Sequence, residues 1–507
     1  MASTIYQVFK DRASATPRLT ALLTPGKSDT TFGELLERTE LSRTRLAQFG
    51  IKRGDRVGIL APTRDAMAAA YLAVVTLATA APLSAHSTAH ELEFSVADFG
   101  VSALIIEDRL SDLQQKASAL GVKVISLVPD RSKAGIFGLR GQVVDEHAEP
   151  SPPMPDDISH VLHTSGTSAR PKIVPRTHAR QAASATRDRG ELQLRPGDRV
   201  INVMPLHHTE GIHQFTVPLI AGVSIVFAEF DPSGFIALIE KYQPTTFTMV
   251  PSMHRMVVET VRDRRALFTG TSLRYIETSS AALPVSLQRQ MKEVYGVPVI
   301  QGYGATEVGG MASLGLSQDD VPEGSVGKRR HAGVVIMDEV GNVLPPMTRG
   351  EICVKRPDTV QEYENNPQAN VAAFRDGYYR TGDEGYLDEN DYLFVLGRIG
   401  ETINRGGEKI APLEVDEVLL AHKDVLEAAA FAVDHPGLGQ EVWAAVVPKH
   451  GAVLDPAEVR AFVSRSLSFP RVPKRIFVVE KLPHNEIGKV MRRELSEKFG
   501  SQSRTGS

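Results

Sequence analysis

Thr164-Ser165-Gly166-Thr167-Ser168-Ala169-Arg170-Pro171-Lys172 gathers small hydroxyl side chains around a glycine and closes on a lysine. That composition suits a loop wrapped around a polyphosphate. Glycine lets backbone approach an anion closely, consecutive N–H groups can form an anion-binding nest, and the lysine adds a point charge. The G-x-x-x-x-G-K-[ST] spacing of a Walker loop is absent. Taken alone the stretch reads equally well as a Ser/Thr/Gly surface loop.

Four further motifs follow in order: Gln301-Gly302-Tyr303-Gly304-Ala305-Thr306-Glu307, Tyr379-Arg380-Thr381-Gly382-Asp383, Gly397-Arg398, and Pro483-His484-Asn485-Glu486-Ile487-Gly488-Lys489. Singly, Gly302-Tyr303-Gly304 reads as a turn and a lone Arg or Lys as a solvated charge. Together, in this order and spacing, they resemble the adenylate-forming superfamily of acyl-CoA synthetases, luciferase-like enzymes and peptide-synthetase adenylation domains. The resemblance spans nearly the whole chain and is nearest to stand-alone acyl-CoA synthetases. The wording of His163 to Thr167 and of Ile403 to Ile410 is similar to that of oxalate–CoA ligases and aryl-acid AMP ligases.

The resemblance implies an ATP-dependent reaction in which a carboxylate is adenylated, pyrophosphate leaves, and the thiol of coenzyme A captures the acyl group. Such chemistry brings negative charges together, so it needs positive charge, Mg2+ and in-line positioning. By resemblance, Thr164, Ser165, Gly166, Thr167, Ser168 and Lys172 grip the phosphates. Thr167 and Glu307 neighbour the Mg2+, a cation usually held by one or two carboxylates plus substrate phosphates. Ser280, Ala281 and Ala282 occupy the adenine strand, followed in the site by Gly302, Tyr303, Gly304 and Thr306. Tyr303 is expected to stack on adenine. Asp383 matches the ribose-binding aspartate, and Arg398 a ribose-contacting arginine at the domain junction. Lys489 matches the catalytic lysine that bridges carboxylate and α-phosphate; its setting also resembles lysines whose acetylation removes the charge and silences acyl-CoA synthetases. His208 matches a histidine beside the carboxylate pocket, with Thr209, Glu210 and His213 as further wall residues. A negative Glu210 facing that pocket would disfavour a second carboxylate and favour a cationic, hydroxyl or amide group. Gly406 and Gly407 match the segment lining the thiol tunnel.

Three positions depart from the family pattern. Ala169 and Ile173 replace glycines of the phosphate loop, which stiffens it. Gly400 stands where a charged hinge residue is usual; glycine absorbs large backbone changes but provides no ionic latch.

A chain of 507 residues exceeds one ordinary domain. With 42% hydrophobic and 23% charged residues it reads as soluble and globular, and a net charge of −4 has no nucleic-acid or membrane signature. A single cysteine, Cys353, excludes a disulfide framework and fits a reducing cytosol, so a cytoplasmic location is expected. The N-terminus lacks a signal pattern, the C-terminus is not a peroxisomal address, and the Ala-rich run Met67 to Leu83 reads as a buried helix.

The elements that must position these residues alternate apolar strand-like runs (55–60, 101–106, 122–127, 199–204, 223–227, 246–250) with helical patterns such as 66–79, an α/β signature. Residues 130–155 read as an irregular surface segment. Beyond about Gly324 short strands at 333–337, 350–354 and 391–396 suggest a small β-rich unit. From Arg398 an α+β unit follows, with helices at 415–421 and 457–464 and strands at 428–433 and 442–447. The expected layout is a large N-terminal domain over 1–397, made of two α/β layered subdomains plus the β-rich one, and a small mobile C-terminal domain over 398–507, its mobility implied by the resemblance. The alternatives are an acyl-AMP ligase loading a separate carrier protein and a non-catalytic nucleotide-binding protein. The chain is expected as a monomer or homodimer.

Overall fold

The computed structural model describes residues 3–164, 171–261, 265–318, 320–485 and 488–500. Four sheets organise these residues. The first has seven strands in the order Phe137–Arg140, Lys123–Pro129, Ala103–Glu107, Arg56–Leu60, Thr79–Pro82, Ile158–His163, Ile173–Thr177. Its inner strands are parallel and its two edge strands antiparallel. The second has nine strands; Val299–Ala305, Ile276–Thr278, Thr246–Met249, Arg199–Asn202, Ser224–Phe227 and Thr20–Leu23 form its parallel centre. Parallel strands are buried on both faces, which is why these segments read as continuous apolar runs.

The helix Arg64–Val75 lies within the core shared by the two sheets, and every residue from Asp65 to Val75 is buried. A helix that is apolar all round belongs in an interior, and its alanines keep it slim. Among the described residues no helix is long and apolar enough to cross a membrane. The segment expected to be irregular contributes the edge strand Phe137–Arg140, with Arg140 paired to Ser126. Its apolar run Ile136-Phe137-Gly138-Leu139 is short and interrupted by glycine, too little to mark a strand by period alone. Gly302-Tyr303-Gly304 is likewise strand rather than turn: it pairs with Gly309–Ser313 through a bulge. A Cβ on Gly304 would lie 2.5 Å from the Gly309 carbonyl oxygen, so only glycine fits this approach.

The third sheet is antiparallel and joins Val334–Met337, Gly350–Val354, Phe374–Arg375, Tyr378–Leu387 and Leu393–Arg398. Its register sets Asp383 opposite Arg398. The fourth begins at Ile403–Arg405 and is dominated by the hairpin Val425–His435 and Gly439–Pro448, with helices Pro412–Leu420, Pro456–Val463 and Arg492–Gly500 against it.

Phe247 is fully buried and meets Phe235 and Tyr295 edge-on at 5.0 and 5.6 Å between ring centroids. Phe247→Ala should cost about 3–5 kcal/mol. Urea unfolding followed by circular dichroism should show a lowered midpoint; an unchanged midpoint would contradict this packing.

Candidate active site

Five of the motif segments converge on a cavity of about 420 Å3 between the N-terminal sheets and the last unit. Ser280, Ala281 and Ala282 enter it from the loop after strand Ile276–Thr278, and Gly302, Tyr303 and Gly304 from the bulged strand. Asp383 and Arg398 enter from the third sheet and Lys489 from the C-terminal loop. The Asp383–Arg398 pairing is closed by an ion pair of 2.8 Å, and Arg398 also donates to the Thr381 carbonyl at 2.9 Å. The Tyr303 hydroxyl donates to the other Asp383 oxygen at 2.6 Å. Burial raises the Asp383 pKa, against the pull of Arg398 and Tyr303. The tyrosine thus holds the aspartate through its hydroxyl, a bond the stacking expectation did not include.

Lys489 is delivered by a loop closed on itself. The Asn485 N–H donates to the Lys489 carbonyl at 3.0 Å and the Lys489 N–H to the Asn485 side chain at 2.9 Å. Gly488 has φ +72°, and a Cβ there would stand 2.4 Å from Ser252 Oγ on the N-terminal side. The glycine therefore permits both the turn and the close approach of the two units. Burial lowers the Lys489 pKa, as does Arg398, while Glu401 and Asp383 oppose them.

Of the phosphate loop, Ser165, Gly166, Thr167 and Ser168 lie outside the described residues. Its ends are clasped: the Thr164 N–H donates to the Lys172 carbonyl at 2.9 Å and the Lys172 N–H to Thr164 Oγ1 at 3.3 Å. The Lys172 ammonium stands 4.7 Å from the ring centroid of Tyr363, whose hydroxyl donates to Glu307 at 2.5 Å. Glu307 is only 5% exposed. No sequence signal marked Tyr363, one aromatic in a polar stretch. Among the described residues no cluster of three acidic, His or Cys side chains could hold a metal. Glu307 therefore offers one carboxylate, which fits Mg2+ held largely by nucleotide phosphates.

His208 is the N-cap residue of helix Thr209–Ala221, its ring 4.4 Å from that of His207. Thr209 donates to Thr306 at 2.9 Å, tying this helix to the motif of Glu307. Glu210 accepts from Gln214 at 3.1 Å. His213 bonds Asp188 at 2.9 Å, and Arg330 reaches the same carboxylate at 3.0 Å. Burial disfavours the His213 charge, but the Asp188 bond and the charges of Asp188, Glu210 and Glu277 outweigh it and push the pKa up to about 9. Burial lifts Glu277 to about 7, against His213 and with the help of Glu210. Sequence reasoning found Glu210 and His213 but missed Asp188, Glu277 and Arg330, which lie on other elements. None of His208, Thr209, Glu210, His213, Thr306, Glu307, Gly406 and Gly407 lines the large cavity. Gly406 and Gly407 form an exposed hairpin turn between Ile403–Arg405 and Glu408–Ile410. A separate open depression of about 460 Å3 near Lys27, Arg64 and Arg109 contains none of the motif residues.

Residues 9–364 match the AMP-binding enzyme family and residues 414–489 its C-terminal domain. The chain belongs to this family. It is 34% identical to an oxalate–CoA ligase of Arabidopsis thaliana, over 98% of this chain and 99% of that protein. ATP-bound MatB from Rhodopseudomonas palustris superposes with a TM-score of 0.89 at 28% identity, over 99% of this chain and 100% of that one. O-succinylbenzoate coenzyme A synthetase (MenE) from Bacillus subtilis, in complex with ATP and magnesium, gives 0.82 at 27% identity, over 96% and 98%.

The His213 and Asp188 shifts describe one interaction, counted once. Burial raises the Asp188 pKa, but His213, Arg330 and Arg187 together hold it well below its ordinary 3.8. The histidine's contribution is complete below 6.5 and fades as pH climbs through about 9; the aspartate's is in place above 3.8. His213→Gln should therefore lower the thermal midpoint clearly at pH 7 and much less at pH 10. An equal deficit at both would refute the charged pair.

Proposed function

We propose that the acid activated by this protein is a small one carrying a second acidic group. The protein is an ATP-dependent acid–CoA ligase. A carboxylate oxygen attacks the α-phosphorus of ATP and the bond to pyrophosphate breaks. The thiol of coenzyme A then attacks the acyl-adenylate carbonyl, and AMP leaves. The observation that carries the site reading is the convergence of Lys489, Asp383, Arg398 and Tyr303 on one cavity.

In this reading the Lys489 ammonium lies between the incoming carboxylate and the α-phosphate and offsets their repulsion. Asp383, oriented by Tyr303 and Arg398, accepts bonds from the ribose hydroxyls. Ser280, Ala281, Ala282, Gly302 and Gly304 present backbone to the adenine, and the Tyr303 ring its face. Thr164 and Lys172 anchor the phosphate loop, with Thr306 and Glu307 at its mouth. Mg2+ bound with the nucleotide supplies positive charge at the phosphates, with Glu307 and Thr167 as its neighbours. His208, Thr209, Glu210 and His213 form the acid wall. We divide the domains at 397/398 and assign rotation to Gly400, where a Cβ would meet nothing within 4 Å. That rotation would bring Gly406 and Gly407 to the thiol. The buried Cys353, its thiol pushed up to about 12 by burial, suits a reducing cytosol. Neither a carrier protein nor an oligomer is required.

The second acidic group is supported by a protonated His213 backed by Arg330, and by the acids named for the relatives above, oxalate and O-succinylbenzoate. Glu210 and Glu277 favour a second reading, an amino- or hydroxy-acid.

ATP–pyrophosphate exchange across diacids, monoacids, amino acids and hydroxy acids decides between them. Exchange should be strongest with a short diacid and fall about 100-fold or more in Lys489→Ala. Strongest exchange with an amino acid would favour the Glu210 reading. Gly400→Pro should keep exchange while slowing thioester formation about tenfold or more; equal loss of both would refute the hinge.

A further inference from the structure

An enclosed cavity of about 40 Å3 lies beside the acid wall, lined among others by His160, Arg176, Gln181, Ser184, Asp188 and His213. Thr209 and Thr306 complete its side towards the nucleotide motifs. Arg176 stands on strand Ile173–Thr177 and is 6% exposed. Its Nε and Nη1 have no hydrogen-bond partner among the described residues, and neither does His213 Nδ1. Buried guanidinium N–H groups left unmet are costly and uncommon.

The neighbouring acceptors are already engaged. Asp188 receives His213 at 2.9 Å, Arg330 at 3.0 Å and Arg187 at 3.3 Å. Asp358 pairs with Arg187 at 3.1 Å and Arg356 at 3.0 Å. Gln181 donates to Thr216 at 3.0 Å, and the His160 ring faces Tyr71 and Ser159 at 3.1 Å each. Four guanidinium groups, Arg176, Arg187, Arg330 and Arg356, thus share two carboxylates, the buried Asp188 and the half-buried Asp358, with Glu191 paired to Arg330 at the rim. Glu210 and Glu277 offset His213, and neither lines the cavity. Burial lowers the Arg176 pKa only to about 10, so its charge persists at neutral pH. Water could satisfy the N–H groups but not the charge.

We infer that this cavity is a site for one small anionic group, the size of a carboxylate or a halide, held between Arg176 and His213. Its volume takes a few water-sized atoms and excludes a phosphate ester. The group is either the distal acid of the substrate or a free inorganic ion. The site stands on the cavity's chemistry; only the choice of source rests on the acid-activation reading.

The full chain should be melted at constant ionic strength in chloride or formate against gluconate, which is too large. The wild type should gain roughly 2–4 °C, saturably, and Arg176→Met none. Equal responses, or none in the wild type, would overturn the site. Crystals of the wild type soaked in bromide decide independently of whether the variant folds. An anomalous peak beside Arg176 supports the site and its absence overturns it. Kinetics then identify the source: formate competing with the acid, and a KM raised at least tenfold for a diacid in Arg176→Met with ATP unaffected, assign the substrate's distal group. Non-competitive stimulation by formate assigns a resident ion. Absence of pyrophosphate exchange would remove the acid reading while leaving the melting and bromide results intact.

Discussion

Moving a carboxylate up to a phosphate sets two anions against each other, and in the proposed reading one partly desolvated ammonium, that of Lys489, answers that repulsion. Charge works hardest where water is scarce, but burial also discourages an ammonium from staying charged. Lys489 is held in that balance: burial and Arg398 depress its pKa while Glu401 and Asp383 sustain it. Asp383 is fixed by strand register opposite Arg398, so the balance is built into backbone pairing and not left to mobile side chains.

The lysine comes from a unit with its own interior. Among the described residues, the two apolar clusters of the last unit contain no residue before Ile403, and the four clusters of the N-terminal sheets end at Leu393. Contact between the units is instead made by scattered polar links. The Val285 N–H reaches Glu417 at 3.2 Å, Arg349 pairs with Glu414 at 2.8 Å, and Arg255 donates to the Leu426 carbonyl. Links of this kind contribute about 1 kcal/mol each or less. Burial lifts the Glu417 carboxyl to about 7, so closure also carries a desolvation cost. An interface held this lightly is compatible with the proposed rotation at Gly400, in which the unit places its lysine for one half-reaction and withdraws it for the next.

The sequence revealed the two halves of the site unequally. The nucleotide half is written in contiguous motifs because backbone close to phosphate or base needs glycine and small residues in a row, as at Gly302 to Gly304. Strand and helix assignments held for apolar runs such as Arg56–Leu60 or Val425–His435, but the longest run, Met67 to Leu83, is helix only to Val75 and then the buried strand Thr79–Pro82, because a run apolar on every side has no period to mark the change. They also failed where a short segment takes its form from its partner: Phe137–Arg140 is a strand because the preceding strand Lys123–Pro129 offers an edge. Tyr363, Asp188, Glu277 and Arg330 were illegible for the same reason. Each is one polar or aromatic residue whose meaning comes from a neighbour on another element.

That difference bears on how the acid is chosen. The charges around His213 form one coupled set in which Asp188 serves three cations and Glu277 answers to both His213 and Glu210. Removing one member of a buried pair leaves an uncompensated charge worth about 3–5 kcal/mol, a large share of a typical domain's stability. A single substitution at this wall therefore disturbs folding before it retunes recognition. A new acid is reached through paired changes, such as a carboxylate lost together with the cation it balanced. In the proposed reading the nucleotide half touches the wall through the Thr209–Thr306 hydrogen bond but stands outside its charge set, so the motifs can stay fixed while the wall varies, and the substrate is written in the part of the site that has no motif.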